Sequence, residues 1–91
     1  MDALEVFEAN DVPYKSKVDG IMHACGHGGH TAMLLGSAQI LNELKYQLSG
    51  SVVLFFQKSE ETASGAKDMV KESKILDKVD AAFAIHLWQG V

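Results

Sequence analysis

The chain holds one cysteine, one proline and one tryptophan, and each other shortage in it excludes something too. A single thiol, Cys25, closes no internal disulfide, so a reducing, cytoplasmic setting is the default expectation. Basic residues are scarce: 8 Lys and Arg stand against 12 Asp and Glu, for a net charge of -4. No basic stripe exists to neutralise phosphates, so nucleic acid is not an expected partner. Long hydrophobic runs are missing as well. Val52–Phe56 and Ala81–Ile85 are strand-sized, far short of the ~20 residues of a spanning helix. The opening Met1-Asp2-Ala3-Leu4-Glu5 is acidic where a secretory signal is basic, so neither membrane insertion nor secretion is expected.

What is present is the balance of a globular protein, with 47% apolar and 22% charged residues. The length suits one domain, of a size that buries only about 60–68% of the surface its unfolded chain exposes. The region through Asp19-Gly20 reads as loop, with turn chemistry at Asn10-Asp11-Val12-Pro13. A glycine- and histidine-rich stretch, Ile21 to His30, comes next. From Thr31 to about Leu48 the pattern is helical, with Leu34, Ala38, Leu41 and Leu44 on one stripe. Ser51 to Gln57 is β-branched and aromatic throughout, which predicts a strand buried on both faces. A second amphipathic helix is expected over about Ser64 to Lys74, with Ala66, Met69, Val70 and Ser73 inward. Asp80 to His86 reads as another buried strand.

The resulting order, α-β-α-β, predicts an α/β fold: three layers, with a mostly parallel sheet flanked by helices and a right-handed crossover. In such sheets ligands gather beyond the carboxyl ends of the strands. Glu60 and Glu61 follow the first expected strand, and His86 ends the second. Cys25 and His27 precede a helix start on the same expected edge. Four potential metal ligands thus converge in this reading.

The densest signal is His23-Ala24-Cys25-Gly26-His27-Gly28-Gly29-His30. It packs three of the four histidines and the only cysteine into eight residues. Thiolate and neutral imidazole suit zinc and similar borderline ions. A lone cysteine is more often a small core hydrophobe, but this clustering favours ligation. Glu60-Glu61 alone would read as a solvated helix start. Beside such a cluster, one carboxylate can ligate while its neighbour acts as general base on water. His86, alone, would be a satisfied core histidine; its place on the ligand edge leaves both readings open. Asp2 reads either as a supporting carboxylate or as an ordinary exposed residue.

Met22-His23-Ala24-Cys25-Gly26-His27, followed by Gly29-His30-Thr31-Ala32-Met33-Leu34-Leu35-Gly36, resembles the metal-site signature of the amidohydrolase branch of the zinc-peptidases. That branch contains hippurate hydrolases, N-acyl-amino-acid amidohydrolases and plant auxin-conjugate hydrolases, and is related to aminoacylases and carboxypeptidases. Met1-Asp2-Ala3-Leu4, the segment Val52 to Glu61 with Gly65-Ala66-Lys67, and Ala82-Phe83-Ala84-Ile85-His86-Leu87 fit in the same order. The resemblance covers essentially the whole chain. It implies metal ligation by Cys25, as a bridging thiolate, and by His27, Glu61 and His86. It implies catalytic roles for Glu60, as general base, and for Asp2, as the carboxylate supporting the site. The cofactors implied are two divalent ions, zinc or manganese, with cobalt or nickel as further candidates. The implied reaction is metal-dependent hydrolysis of an N-acyl amino acid or peptide-like amide.

Three departures stand against that pattern. Gly28 replaces an aspartate, and outer carboxylates of this kind typically matter 10–100-fold. Lys58-Ser59 replaces Pro-Ala before the two glutamates, and the lysine either points inward, favouring ionised carboxylates, or snorkels to solvent. Residues 1–91 also match only a partial catalytic domain, without the lid and dimerisation domain or the later segment that supplies a last histidine. The expectation is therefore a fragment with an incomplete two-metal site and weak or no turnover alone. The alternatives are a non-catalytic metal-binding module and a half-enzyme that pairs with a separately encoded remainder; a homo-oligomer is a further expected partner state.

Overall fold

A computed structural model describes residues 1–88. Its regular elements are two α-helices, α1 over His27–Glu43 and α2 over Gly65–Ser73, each followed by a single 3-10 turn, Lys45–Gln47 and Ile75–Asp77. Pro13 sits at the second position of a turn closed by Lys15 N–H donating to the Val12 carbonyl at 3.1 Å, as the proline predicts.

Helix α1 starts earlier than the apolar pattern suggests. Gly26 caps it in the left-handed region, at φ 89° and ψ 12°, where a side chain would be strained. Its carbonyl accepts from the N–H groups of Gly29, at 2.9 Å, and His30, at 3.2 Å. The Gly- and His-rich stretch is thus partly the first helical turn. Glycines 28 and 29 hide this in the sequence, because glycine is among the weakest helix formers. The α-helix ends at Glu43, and the 3-10 turn carries the helical path on to Gln47.

His30, Met33, Leu34, Ser37, Ala38 and Leu41 form the half-buried stripe of α1, spaced three and four apart. Leu44 falls outside it and is exposed. On the other face Leu35 and Ile40 are 57% and 58% exposed. Helix α2 matches its expected span closely and ends at Lys74, in the left-handed region at φ 51°. Met69 and Val70 are half-buried as predicted, whereas Ala66 and Ser73 are exposed.

The sheet is where structure and expectation part. Among the described residues neither Ser51–Gln57 nor Asp80–His86 forms a strand, and the β-pairing is a lone antiparallel bridge between Leu4 and Met22. A strand exists only through a ladder, and these two segments do not pair with each other. Nor do α1 and α2 pack on one another, and both segments stay largely open to solvent: Val53 is 55% exposed and Phe83 96%. The two-sided burial and the crossover inferred from β-branched composition are not formed. No hydrophobic side chain is fully buried among the described residues. The radius of gyration is 16.2 Å, against about 12 Å for a close-packed chain of this length.

One local change follows directly. A Cβ at Gly28 would meet nothing within 4 Å, and the first turn of α1 carries no acidic residue. Gly28→Asp is expected to stabilise α1 by about 1 kcal/mol through helix propensity and the helix dipole. Slower amide exchange along the first two turns would show it; unchanged exchange would refute it.

Candidate metal centre

The site grows from one buried imidazole. His27 is 7% exposed, the one polar side chain buried among the described residues. Its Nδ1 accepts the backbone N–H of Asp2 at 3.0 Å. A neutral ring accepting at Nδ1 carries its proton on Nε2. That atom lies 3.5 Å from Glu60 Oε2 and 3.5 Å from Glu61 Oε1. Both separations are long for hydrogen bonds and read as loose electrostatic contacts.

Asp2 uses every polar group it has. Besides its N–H, its carbonyl accepts from His23 Nδ1 at 3.0 Å. Its carboxylate oxygens accept from the N–H groups of Ser59, at 3.1 Å, and Glu61, at 3.0 Å. The N-terminal segment is thereby tied both to the start of α1 and to the loop before α2. The Glu61 N–H is the main influence holding the Asp2 carboxyl below its usual range, with Ser59 acting the same way and desolvation opposing them.

The loop carrying Glu60 and Glu61 is tightly wound. Ser59 and Ala63 take positive φ, 53° and 55°, a costly choice for residues with a Cβ. Ala63 N–H donates to the Glu60 carbonyl at 2.9 Å, and Gly65 N–H to that of Ser59 at 3.3 Å. Gly65 is buried, and a Cβ there would overlap the Lys58 carbonyl, so the loop closes only over glycine. Lys58 itself is exposed and forms no ion pair among the described residues.

Cys25, His27 and Glu61 each offer one ligand atom, and these atoms lie within 4.8 Å of one another. Cys25 is half-buried. Its thiol is pushed up, first by its hydrogen bond to Glu61, then by desolvation and by the charges of Glu61 and Glu60. The donor set fits a borderline divalent ion: thiolate, imidazole and carboxylate are the three ligand types such ions share. Donor atoms around tetrahedral zinc stand about 3.3–3.8 Å apart, so a closure of about 1 Å would complete the contact. A cation here would displace the thiol proton, and ligation through Nε2 of His27 would need the ring proton on Nδ1, which releases the Asp2 N–H.

Of the residues singled out by sequence, Cys25, His27, Glu60, Glu61 and Asp2 come together. His86 stands one ring away. Its imidazole packs on His30, with centroids 4.2 Å apart, and His30 in turn lies 5.6 Å from His27. His30 carried no assigned role in the sequence, although its step of three residues from His27 puts both on one helical face. Desolvation, helped by His86 and His27, keeps its pKa below the ordinary imidazole value.

Because Asp2 has a depressed folded pKa, its hold on the loop is fully present above the unfolded value of about 3.9. That hold fades as pH falls through the lower folded value. The amide shifts of Ser59 and Glu61 are expected to titrate together with a midpoint below about 3.9 and to lose that step in Asp2→Ala. A midpoint at or above the unfolded value would contradict the assignment.

Residues 1–91 match peptidase family M20/M25/M40 along their whole length. The chain is 54% identical over 87 residues to IAA-amino acid hydrolase ILR1-like 2 of Arabidopsis thaliana, which covers 96% of this chain and 20% of that protein. It is 43% identical over 88 residues to the N-acyl-L-amino acid amidohydrolase of Geobacillus stearothermophilus, covering 97% and 24% respectively. It is 51% identical over 89 residues to thermostable carboxypeptidase 2 of Saccharolobus solfataricus, covering 96% and 22%. The chain therefore spans roughly a fifth to a quarter of the length of these curated relatives. No solved structure matches it at a significant level. The family is one of metal-dependent hydrolases with an α/β fold, and the relatives' names are those of amidohydrolases and a carboxypeptidase. With the match running from end to end, the chain belongs to peptidase family M20/M25/M40.

Proposed function

We propose that this chain supplies the metal-binding and proton-transfer half of a hydrolase that cleaves N-acyl amino acids or similar amides. The observation that carries this reading is the approach of Cys25, His27 and Glu61 within 4.8 Å, with a second carboxylate, Glu60, 3.5 Å from the same imidazole. In this reading Cys25, His27, Glu61 and His86 hold two divalent ions, zinc or manganese by preference. Ions so held lower the pKa of water and stabilise negative charge developing on a carbonyl oxygen.

The chain's own residues do the rest. Glu60, exposed beside the ligand group, takes the proton of the attacking water. It then returns that proton to the nitrogen of the leaving amino acid as the amide bond breaks. Asp2 anchors the backbone on either side of Glu60, at Ser59 and Glu61, and so limits how far the base can drift from the imidazole. The substrate class follows the relatives' names, which specify amino acid conjugates and N-acyl amino acids. As residues 1–91 of a partial catalytic domain, the chain alone is expected to turn over little or no substrate. Self-association, or pairing with a separate remainder, would complete the site.

A second reading is favoured by one observation. His86 packs on His30 and not in the three-donor group. Residues 1–88 could therefore serve as a metal-binding module without catalysis.

Two experiments separate these. Cobalt titration of the chain should give a thiolate-to-metal absorption band that vanishes in Cys25→Ala and weakens at least tenfold in affinity in Glu61→Gln; Glu60→Gln should bind as the parent does. Absence of any band would remove both readings. For catalysis, residues 1–88 can replace the matching segment of the Geobacillus amidohydrolase. The chimera should hydrolyse N-acetyl amino acids when supplied with zinc or manganese. Glu60→Gln in it should lower kcat by about 10²–10⁴-fold with little change in metal content. A chimera that loads metal but never turns over would leave the module reading standing.

A further inference from the structure

The first turn of α1 does more than start a helix. Gly26, Gly29 and His30 follow the helical spacing onto one face, and Leu87 is seated on that face. A Cβ on Gly26 would lie 3.7 Å from Leu87 Cδ1 and 3.8 Å from His30 Nε2, while one on Gly29 would collide with the Leu87 side chain. The seat exists because two of its three positions lack a side chain. The third provides its polar contact: the Leu87 N–H donates to His30 Nε2 at 3.0 Å, across 57 residues of sequence.

We propose that His30 is a positioning residue for His86: by accepting the Leu87 N–H and packing its ring on the imidazole of His86, it holds that side chain one ring away from His27, at the edge of the Cys25–His27–Glu61 group. The inference rests on the metal-site reading above. Since Nε2 of His30 accepts, its neutral ring bears the proton on Nδ1 and cannot ligate through Nε2 without releasing Leu87. His30 therefore acts through its neighbour. Its ring lies 4.2 Å from that of His86 at 53°, and 5.6 Å from that of His27 at 41°, so the three imidazoles run in a row from the buried His27 outward. His86 is fixed in a further way. Its Nδ1 donates to the carbonyl of Leu87, which leaves Nε2 as the free ring nitrogen. Holding Leu87 thus sets both the place and the tautomer of His86, the usual work of an outer partner of a ligating histidine.

The test uses the full chain, with zinc as probe and four variants: His30→Phe, His30→Gln, His86→Ala and the double His30→Phe/His86→Ala. Phenylalanine keeps a ring but offers no acceptor, whereas the Gln Oε1 reaches where Nε2 stood. His30→Phe should speed exchange of the Leu87 amide at least tenfold and weaken zinc binding about 10–100-fold. His30→Gln should recover most of both. His86→Ala should weaken zinc binding by a similar factor, and the double variant should bind no worse than the poorer single, since the two residues act as one unit. Helicity of α1, read by circular dichroism, should be the same in all four. If the parent binds zinc and His30→Phe binds it equally well, the positioning role is overturned and the metal site stands. Additive losses in the double variant would overturn it likewise. If the parent takes no zinc, the metal reading falls first and this one with it.

Discussion

Keeping one imidazole dry beside two carboxylates is the constraint around which this chain is arranged. A buried histidine needs partners for its ring nitrogens, and three distant stretches meet at His27. Asp2 comes from the N-terminus, Glu60 and Glu61 from the loop before α2, and the ring itself from the first turn of α1. Asp2 closes the circuit by binding that loop with its carboxylate while its backbone binds the ring. Long-range order here is polar. It does not come from a hydrophobic core, because no apolar side chain is fully buried among the described residues.

That balance explains which parts of the molecule could be read from its letters. Ligand types and spacing are local chemistry, so Cys25, His27, Glu60 and Glu61 are legible as a group; His86, read onto the same edge, packs on His30 outside the three-donor group. The helix spans were visible too, since an apolar stripe at three- and four-residue steps is a property of one segment. The start of α1 was not, because Gly28 and Gly29 carry no helical pattern; the turn forms where the chain is held by Asp2 and Leu87. The strands are absent among the described residues for the opposite reason. Val52–Phe56 and Ala81–Ile85 have the composition of buried strands, but a ladder needs a neighbour at about 4.8 Å, and neither segment provides one for the other. His30 escaped notice because its contribution is an accepted hydrogen bond from a peptide 57 residues away, which no spacing rule encodes.

Membership of peptidase family M20/M25/M40 gives these contacts their direction. The relatives extend over four to five times the matched length, yet the donor atoms of Cys25, His27 and Glu61 already approach one another within these residues. Lys58, where the family pattern has proline, stays in solvent and leaves the acid pair alone. Gly28, where it has aspartate, leaves open space on the exposed side of the first turn.

The left-handed cap at Gly26 carries a consequence for α1 as a whole. Cys25 and His27 flank that cap, so a single ion gripping both would clamp the dihedrals whose ordering makes the first turn of any helix improbable, by a factor of about 10⁻³. Ion capture would then lock a turn that the contacts of Asp2 and Leu87 already hold. The seventeen residues of α1 become an amplifier, converting occupancy at one end into rigidity along a rod about 25 Å long.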